Sequence, residues 1–328
     1  AKIFQEIILH VIRHHREGLR AVQHPHRYIQ GKQPSPKHAQ DYTKKHLNGK
    51  TFADTGFRGT FLPPLMESDK SIELTDTQKE RDHRELRIDK VGVRNLRFPI
   101  RIRDKANAHQ DTIATIGMFV DLPHHFKGTH MSRFIEVLNT HGNVVHVENI
   151  PEILTAMQER LDAKTAHLEM DFPFFLEKAA PVTGKTGLLD YNAKFDATAN
   201  GSEIDFVLEV RTQVTTLCPC SKAISVHGAH NQRGEVTVQL RSSETIWIED
   251  VIGLAEASAS SELYSLLKRP DEKHVTERAY ENPVFVEDLV RNVATRLNAH
   301  PHVTWYKVEV ENFESIHNHN AYACIEKG

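Results

Sequence analysis

The segment TTLCPCSKAISVHGAHNQR, residues 215–233, holds two of the three cysteines in a chain of 328 residues. One residue separates Cys218 from Cys220, and His230 follows in a turn-like setting. A thiolate and an imidazole are good ligands for a borderline-soft divalent metal, and a thiolate is also a nucleophile. The competing interpretation is that free cysteines act as small buried apolar residues. Because one Cys-x-Cys pair and one histidine make an incomplete metal site, the missing ligands must come from elsewhere.

The segment LLKRPDEKHVTE, residues 266–277, predicts a short charged loop punctuated by proline. Asp271 or Glu272 could complete a Cys/His metal site there. Lys268 and Arg269 form a basic pair that suits a phosphate. A solvated charged turn is the alternative that needs no ligand.

Two further segments carry polar groups that packing does not require. Glu287 interrupts an apolar helical stripe, and a partly buried carboxylate needs a donor such as the two N–H groups on the edge of a guanine. His317 and His319 lie between two predicted strands and share a face if the backbone is extended. Histidine is the commonest proton shuttle near neutral pH. A solvated or paired glutamate is the simpler interpretation of Glu287.

The segment FKGTHMSRF, residues 126–134, joins a predicted strand to a predicted helix. Ser132 and Arg133 fall at the helix start, where backbone N–H groups and the helix dipole favour an anion. Helix capping by Thr129 or Ser132 is the alternative, and it requires no ligand.

Composition limits the function classes. The formal net charge is -3 with 39% hydrophobic and 26% charged residues, which indicates a globular protein and argues against a nucleic-acid partner. Three cysteines do not make a disulfide framework, so we expect a reducing, cytoplasmic setting. No apolar run is long enough to span a bilayer, and we expect no membrane partner.

Residues 1–75 differ from the rest. They are rich in His, Lys, Arg and Gln and show little sustained periodicity after an opening helix-like stretch. We expect an N-terminal extension that is disordered or non-native, with Met66 as the native start.

From residue 90 onward, the order strand-strand-helix-helix-strand-strand occurs twice. The pattern predicts an α+β fold with one module over residues 80–200 and a second over 201–328, each with an antiparallel sheet. Helices are predicted over 248–267 and 282–297, the latter with an apolar stripe from Phe285 to Leu297. Closure of several sheets into a barrel through oligomerisation removes exposed edges, and a monomeric α+β sandwich is the alternative.

Taken together, VGVRNLRFPI, KGTHMSRF, DFPFF, LCPCSKAIS, GAHNQR, LLKRPDEKHVTERAYENPVFVED and ENFESIHNHNAYA resemble GTP cyclohydrolase I of type IB. The resemblance runs from about residue 80 to the end of the chain. It implies the tunnelling fold, with two modules per chain and barrels that close in a homotetramer with active sites at subunit interfaces. It also implies a hydrolase that converts GTP and water into 7,8-dihydroneopterin triphosphate and formate, the first step toward folate-type pterins and 7-deazaguanines.

The resemblance implies a role for each candidate residue. It assigns one divalent metal ion to Cys218, His230 and Glu272, the guanine to Glu287, and a catalytic role to Cys218, His317 and His319; the role of Cys220 stays open. A metal held this way lowers the pKa of water from ~16 to ~7 in the zinc case, and the resulting hydroxide attacks C8 of guanine. Zinc, manganese and ferrous iron all suit the mixed ligand set. The substrate-binding set, which neutralises and holds the triphosphate, is Lys268, Arg269, Arg133, Ser132 and Arg233.

Two other functions remain open at this point. A tunnelling-fold nitrile reductase would use a nucleophilic cysteine and NADPH without metal. A zinc-storage or zinc-sensing protein would bind metal without turning over GTP.

Overall fold

Alternation of apolar and polar residues builds the sheet that dominates this chain. In Asn231–Ser242, Val236, Val238 and Leu240 are buried, while the residues between them lie on the other face. The same period of two runs through the neighbouring strands, so one whole face of the sheet is apolar. The computed structural model describes residues 76–142 and 144–328, and the expected N-terminal extension lies outside them.

The strands form one ten-stranded, mostly antiparallel sheet in the order β10-β9-β7-β6-β5-β4-β2-β1-β3, with β8 paired to β6. Only the short β3 pairs in parallel, with β1. The strands are β1 Ile88–Asp104, β2 Ala108–Leu122, β3 Val145–His146, β4 Thr165–Ala179, β5 Thr186–Asn200, β6 Glu203–Leu217, β7 Asn231–Ser242, β8 Ser261–Glu262, β9 Val303–Asn312 and β10 Ala321–Lys327.

Helices cover the apolar face of the sheet. They are α1 Met131–Thr140, α2 Ile150–Leu161, α3 Pro219–Ile224, α4 Ile248–Glu256, α5 Arg269–Glu281 and α6 Val286–Ala299, with 3₁₀ turns at Thr77–Lys79 and Val147–Asn149. The buried residues of the longer helices and the inward residues of the strands form one core cluster. The other sheet face carries charged cross-strand pairs such as Arg241 and Asp205, whose Nε and Oδ1 lie 2.6 Å apart. The α+β class with a large antiparallel sheet is thereby confirmed.

The helix predicted over 248–267 is wrong in its second half. It ends at Glu256, and Ser261–Glu262 pairs with β6 instead. Ser258 Oγ donates to the Leu254 carbonyl, and Ser260 Oγ accepts from the Leu217 N–H at 3.0 Å. Serine side chains that bond to backbone in this way compete with the helical pattern.

The charged loop predicted over 266–277 is also wrong. Most of it forms the first turns of α5, because Pro270 lies in the first turn, where a missing N–H costs nothing. The apolar stripe predicted from Phe285 to Leu297 is wrong only in its first residue. Phe285 precedes α6 and is 41% exposed. No helix within residues 76–142 and 144–328 is long and apolar enough to cross a membrane.

Candidate active site at one edge of the sheet

Four strand pairs end together at one edge of the sheet, and three of them lie near the candidate residues. The antiparallel register pairs the last residue of one strand with the first of the next, and these three pairs are Ala179 with Thr186, Leu217 with Asn231 and Asn312 with Ala321. We call this end of the strands the site edge; it is the side of the sheet reached by the ends of β4, β6 and β9, and not an edge strand. The other ends of the same strands, where Thr165 pairs with Asn200, lie at the opposite edge.

Cys218 and His230 are neighbours at the site edge. The Cys218 N–H donates to the His230 carbonyl at 3.1 Å, which extends the β6–β7 ladder by one step beyond Leu217 and Asn231. Pro219 then starts α3, and Cys218 becomes its N-cap, with Sγ accepting from the Ser221 N–H at 3.4 Å. The Cys218 thiol therefore lies where β6 ends and α3 begins. Cys220, in the first turn of α3, is exposed.

The imidazole of His230 is tied to side chains that the sequence analysis missed. Its Nδ1 lies 3.0 Å from Gln232 Oε1, and Gln232 Nε2 donates to Thr216 Oγ1 at 2.9 Å. Thr216 is fully buried and Gln232 is 8% exposed. The signal available in the sequence is the two-residue spacing, since His230 and Gln232 share a face if the strand continues.

The loop between β9 and β10 lies beside His230. Ser315 Oγ is 3.4 Å from His230 Nδ1, and the Phe313 N–H donates to the Arg233 carbonyl at 2.9 Å. In this loop, the exposed rings of His317 and His319 stack with centroids 5.2 Å apart. The loop that carries the predicted histidine pair thus contacts His230 through Ser315, and its Phe313 is bonded to the Arg233 backbone.

The start of α6 reaches the same edge. The Val284 N–H donates to the Leu217 carbonyl at 3.1 Å, which fixes this segment beside Cys218. Glu287 follows in the first turn of α6 and is exposed, so its carboxylate is free of the core. The structure places Glu287 at the site edge.

The start of α5 is fixed to the β4–β5 turn, also at the site edge. Asp271 is fully buried and accepts from the N–H groups of Val182 and Thr183 at 2.9 and 2.8 Å and from the Thr183 hydroxyl. Burial raises the pKa of this carboxyl, but these bonds and one from the Lys268 N–H lower it more, so the pKa of Asp271 is well below its usual range. Asp271 is therefore an anchor for the helix. Lys268, Arg269 and Glu272 are exposed around it.

Cys218 and His230 do not form a three-ligand group with Glu272 within one chain. Among residues 76–142 and 144–328, no three His, Cys, Asp or Glu side chains are close enough to hold a metal ion. The pair does suit a borderline-soft divalent metal, because a thiol and an imidazole face the same side of one strand pair. The Nδ1 contact to Gln232 leaves Nε2 as the nitrogen of His230 that could bind a metal.

Ser132 and Arg133 lie elsewhere. They begin α1, which follows the end of β2, and Arg133 Nη1 donates to the carbonyl of Arg160 at the end of α2 at 3.1 Å. The next strand after α2 starts at Thr165, at the opposite edge of the sheet. Neither Thr129 nor Ser132 caps α1; its N-cap is His130, whose side chain lies 3.2 Å from Asp76 Oδ2 and makes no capping bond to the helix.

Fold and site together define the class: an α+β protein whose candidate active site sits at one edge of an antiparallel sheet. The family model described as type I GTP cyclohydrolase folE2 matches residues 74–323. The GTP cyclohydrolase FolE2 of Akkermansia muciniphila is 58% identical over 258 residues, covering 78% of this chain and 98% of the relative. That of Syntrophus aciditrophicus is 55% identical over 254 residues, covering 77% and 100%. This chain belongs to the type I GTP cyclohydrolase folE2 family.

Among solved structures, similarity to uricases is distant. A uricase from Bacillus fastidious has a TM-score of 0.45 at 8% identity, covering 73% of this chain and 92% of that one. The uricase from Arthrobacter globiformis has a TM-score of 0.37 at 12% identity, with the same coverage of both chains.

Proposed function

We propose that this chain hydrolyses GTP to 7,8-dihydroneopterin triphosphate and formate, the first step toward folate-type pterins and 7-deazaguanines. As a member of the type I GTP cyclohydrolase family, it is a hydrolase. The observation that carries the proposal is the Cys218–His230 pair, which lies between the end of β6 and the start of β7, inside the region that matches the family.

Cys218 and His230 would hold one divalent metal ion, and Glu272, which does not group with them within one chain, would have to be brought to the pair as the third ligand. When bound, such an ion polarises water and supplies a nucleophile at neutral pH, which the opening of the guanine imidazole ring requires. Thiolate, imidazole and carboxylate together suit zinc, manganese and ferrous iron.

The other residues at the site edge take the substrate roles. Glu287 is exposed in the first turn of α6 and would accept the two N–H groups on the guanine edge. His317 and His319 are exposed and stacked, and they would move protons during ring opening and ring closure. The exposed cations Lys268, Arg269 and Arg233 would neutralise the triphosphate.

A homotetramer of closed barrels with sites at subunit interfaces completes the proposal. Its support is the exposed apolar surface around the site, where Ile224 is 81%, Val226 89% and Ile316 65% exposed. The repeated element order supports division into modules at 80–200 and 201–328. Since Ser132 and Arg133 lie at the opposite edge, they would reach the triphosphate only from a neighbouring chain.

The three free cysteines fit a cytoplasmic setting.

Family membership gives no support to the nitrile reductase or to the zinc-storage protein. One experiment separates the three: the metal-stripped full chain is incubated with GTP and zinc, manganese or ferrous iron, and pterin fluorescence is read after oxidation. We expect fluorescence with at least one ion and none without metal. Metal binding without fluorescence would indicate storage, and NADPH consumption with a nitrile by the stripped protein would indicate the reductase.

A further inference from the structure

The polar side chains beneath the Cys218–His230 pair form an ordered, buried layer. On the core face of β6 and β7, Val214 and Gly234 pair in the apolar part, and the next pair on that face is Thr216 with Gln232. Cys218 and His230 form the pair after that. Thr216 and Gln232 are buried at 0% and 8% exposure, so their polar atoms rely on each other rather than on water.

The amide of Gln232 lies between Thr216 and His230. Its Nε2 faces Thr216 Oγ1 at 2.9 Å and its Oε1 faces His230 Nδ1 at 3.0 Å. An amide oxygen only accepts, so it requires a hydrogen on Nδ1 and leaves the lone pair of the neutral ring on Nε2. The flipped amide would require the opposite tautomer, with hydrogen on Nε2.

We propose that Gln232, held by Thr216, is a positioning residue that sets the tautomer and ring orientation of His230 for metal binding through Nε2. The proposal rests on the ligand role of His230 given above. Groups that hold the second nitrogen of a metal-binding imidazole raise its basicity and restrict its rotation. Gln232 does this from inside the core, where it is 8% exposed and its amide is in contact with the buried Thr216 hydroxyl.

One competing group is within reach of the same nitrogen. Ser315 Oγ lies 3.4 Å from His230 Nδ1, at the long limit for a hydrogen bond, and Ser315 is exposed. Water can replace an exposed hydroxyl but not a buried amide. Ser315→Ala is therefore the matched control for Gln232.

The test measures zinc affinity of the full chain by competition with a chromophoric chelator. Gln232→Leu is expected to weaken zinc binding by about 10–100-fold. Gln232→Glu keeps an acceptor for Nδ1 and is expected to stay within about threefold of native, as is Ser315→Ala. At saturating cobalt, Gln232→Leu should keep the native thiolate-to-metal absorption band, because Cys218 still binds; loss of the band would indicate collapse of the site and overturn a positioning role.

Native zinc affinity in Gln232→Leu would overturn the proposal. If that variant does not fold, Thr216→Val decides: it keeps the shape, frees the amide, and is expected to weaken zinc binding about fivefold, the value of one neutral hydrogen bond. Unchanged affinity in Thr216→Val would then overturn it. His230→Ala separates this result from failure of the proposed function, because native zinc binding there would contradict the ligand set itself.

Discussion

At Cys218 the backbone changes from strand to helix, and this change places the thiol where it can act. The thiol caps α3 through the Ser221 N–H and stands beside His230 across the ladder. A buried structural cysteine would lie inside a strand or helix, packed against apolar neighbours. Cys218 instead lies at the junction between the end of β6 and the start of α3, and this position favours a chemical role.

We expect Cys218→Ala to abolish GTP turnover, with a loss greater than the ~100-fold seen when only a supporting group of a metal ligand is removed. The oligomer should stay intact, because the side chain lies at the edge of the core. Product formation and native mass measure the two effects. Cys324→Ala is the control, since Cys324 is also a free thiol but is exposed and lies on β10, whereas Cys218 is half-buried; retained turnover in Cys218→Ala would contradict the assigned ligand.

Glu287 gives a second prediction at this scale. Its carboxylate is exposed, so Glu287→Gln should leave stability unchanged while weakening guanine recognition. One lost charge-assisted hydrogen-bond pair predicts a loss of kcat/KM of at least about tenfold. Steady-state kinetics with GTP measure it. Asp288→Asn, one residue on, should lower Tm without a comparable loss of kcat/KM, because Asp288 accepts from the Phe285 N–H as a helix cap.

At the scale of elements, α5 depends on one buried carboxylate. Asp271 fastens the start of this helix to the turn between β4 and β5. Lys268, Arg269 and Glu272 surround that anchor, so their positions depend on it. A defect here should therefore affect both stability and turnover.

Asp271→Asn is expected to lower Tm by at least about twice the shift of Asp288→Asn, because the amide cannot accept all the bonds that Asp271 accepts. Turnover of GTP should fall as well. Thermal unfolding and kinetics of the two variants provide the comparison. Equal Tm shifts would contradict the anchoring role.

The pH dependence of this anchor follows from its lowered pKa. A carboxyl with a lowered native pKa stabilises fully above its unfolded value, about 3.9, and the stabilisation is lost as pH falls through the native value. The difference in urea stability between native protein and Asp271→Asn should be constant from about pH 7 to 5 and shrink below about pH 4. A difference that grows on acidification would contradict the sign.

The repeated order of strands and helices could be predicted because the apolar alternation of the strands is regular, as in Val303–Asn312. Prediction failed where side chains bond to backbone. The serines after Glu256 end a helix that periodicity would continue, and Pro270 begins one that it would interrupt. The neighbours Thr216 and Gln232 could not be predicted either, since their contact depends on the register between β6 and β7.

At the scale of the whole molecule, the substrate-binding residues fall at two edges of the sheet. Ser132 and Arg133 are near the start of β4, whereas Cys218 is level with the end of β4. A strand of 15 residues spans about 50 Å, which no side chain bridges. If both groups serve one site, they must come from different chains.

Mixing inactive variants tests this arrangement. Cys218→Ala and Arg133→Ala subunits, each with impaired turnover alone, should regain about a quarter of native activity when reassembled in equal amounts, because random pairing creates that share of intact interfaces. No recovery in verified mixed oligomers would place Arg133 outside the site.

The proposed reaction opens the guanine ring of GTP at C8, at the site that contains Cys218 and His230. The most direct measurement follows GTP labelled with ¹³C at C8, incubated with the metal-loaded full chain, by NMR. All of the label that leaves the substrate should appear in formate, and none should remain in the pterin triphosphate. Label that stays in a nucleotide, with release of phosphate alone, would contradict the claim.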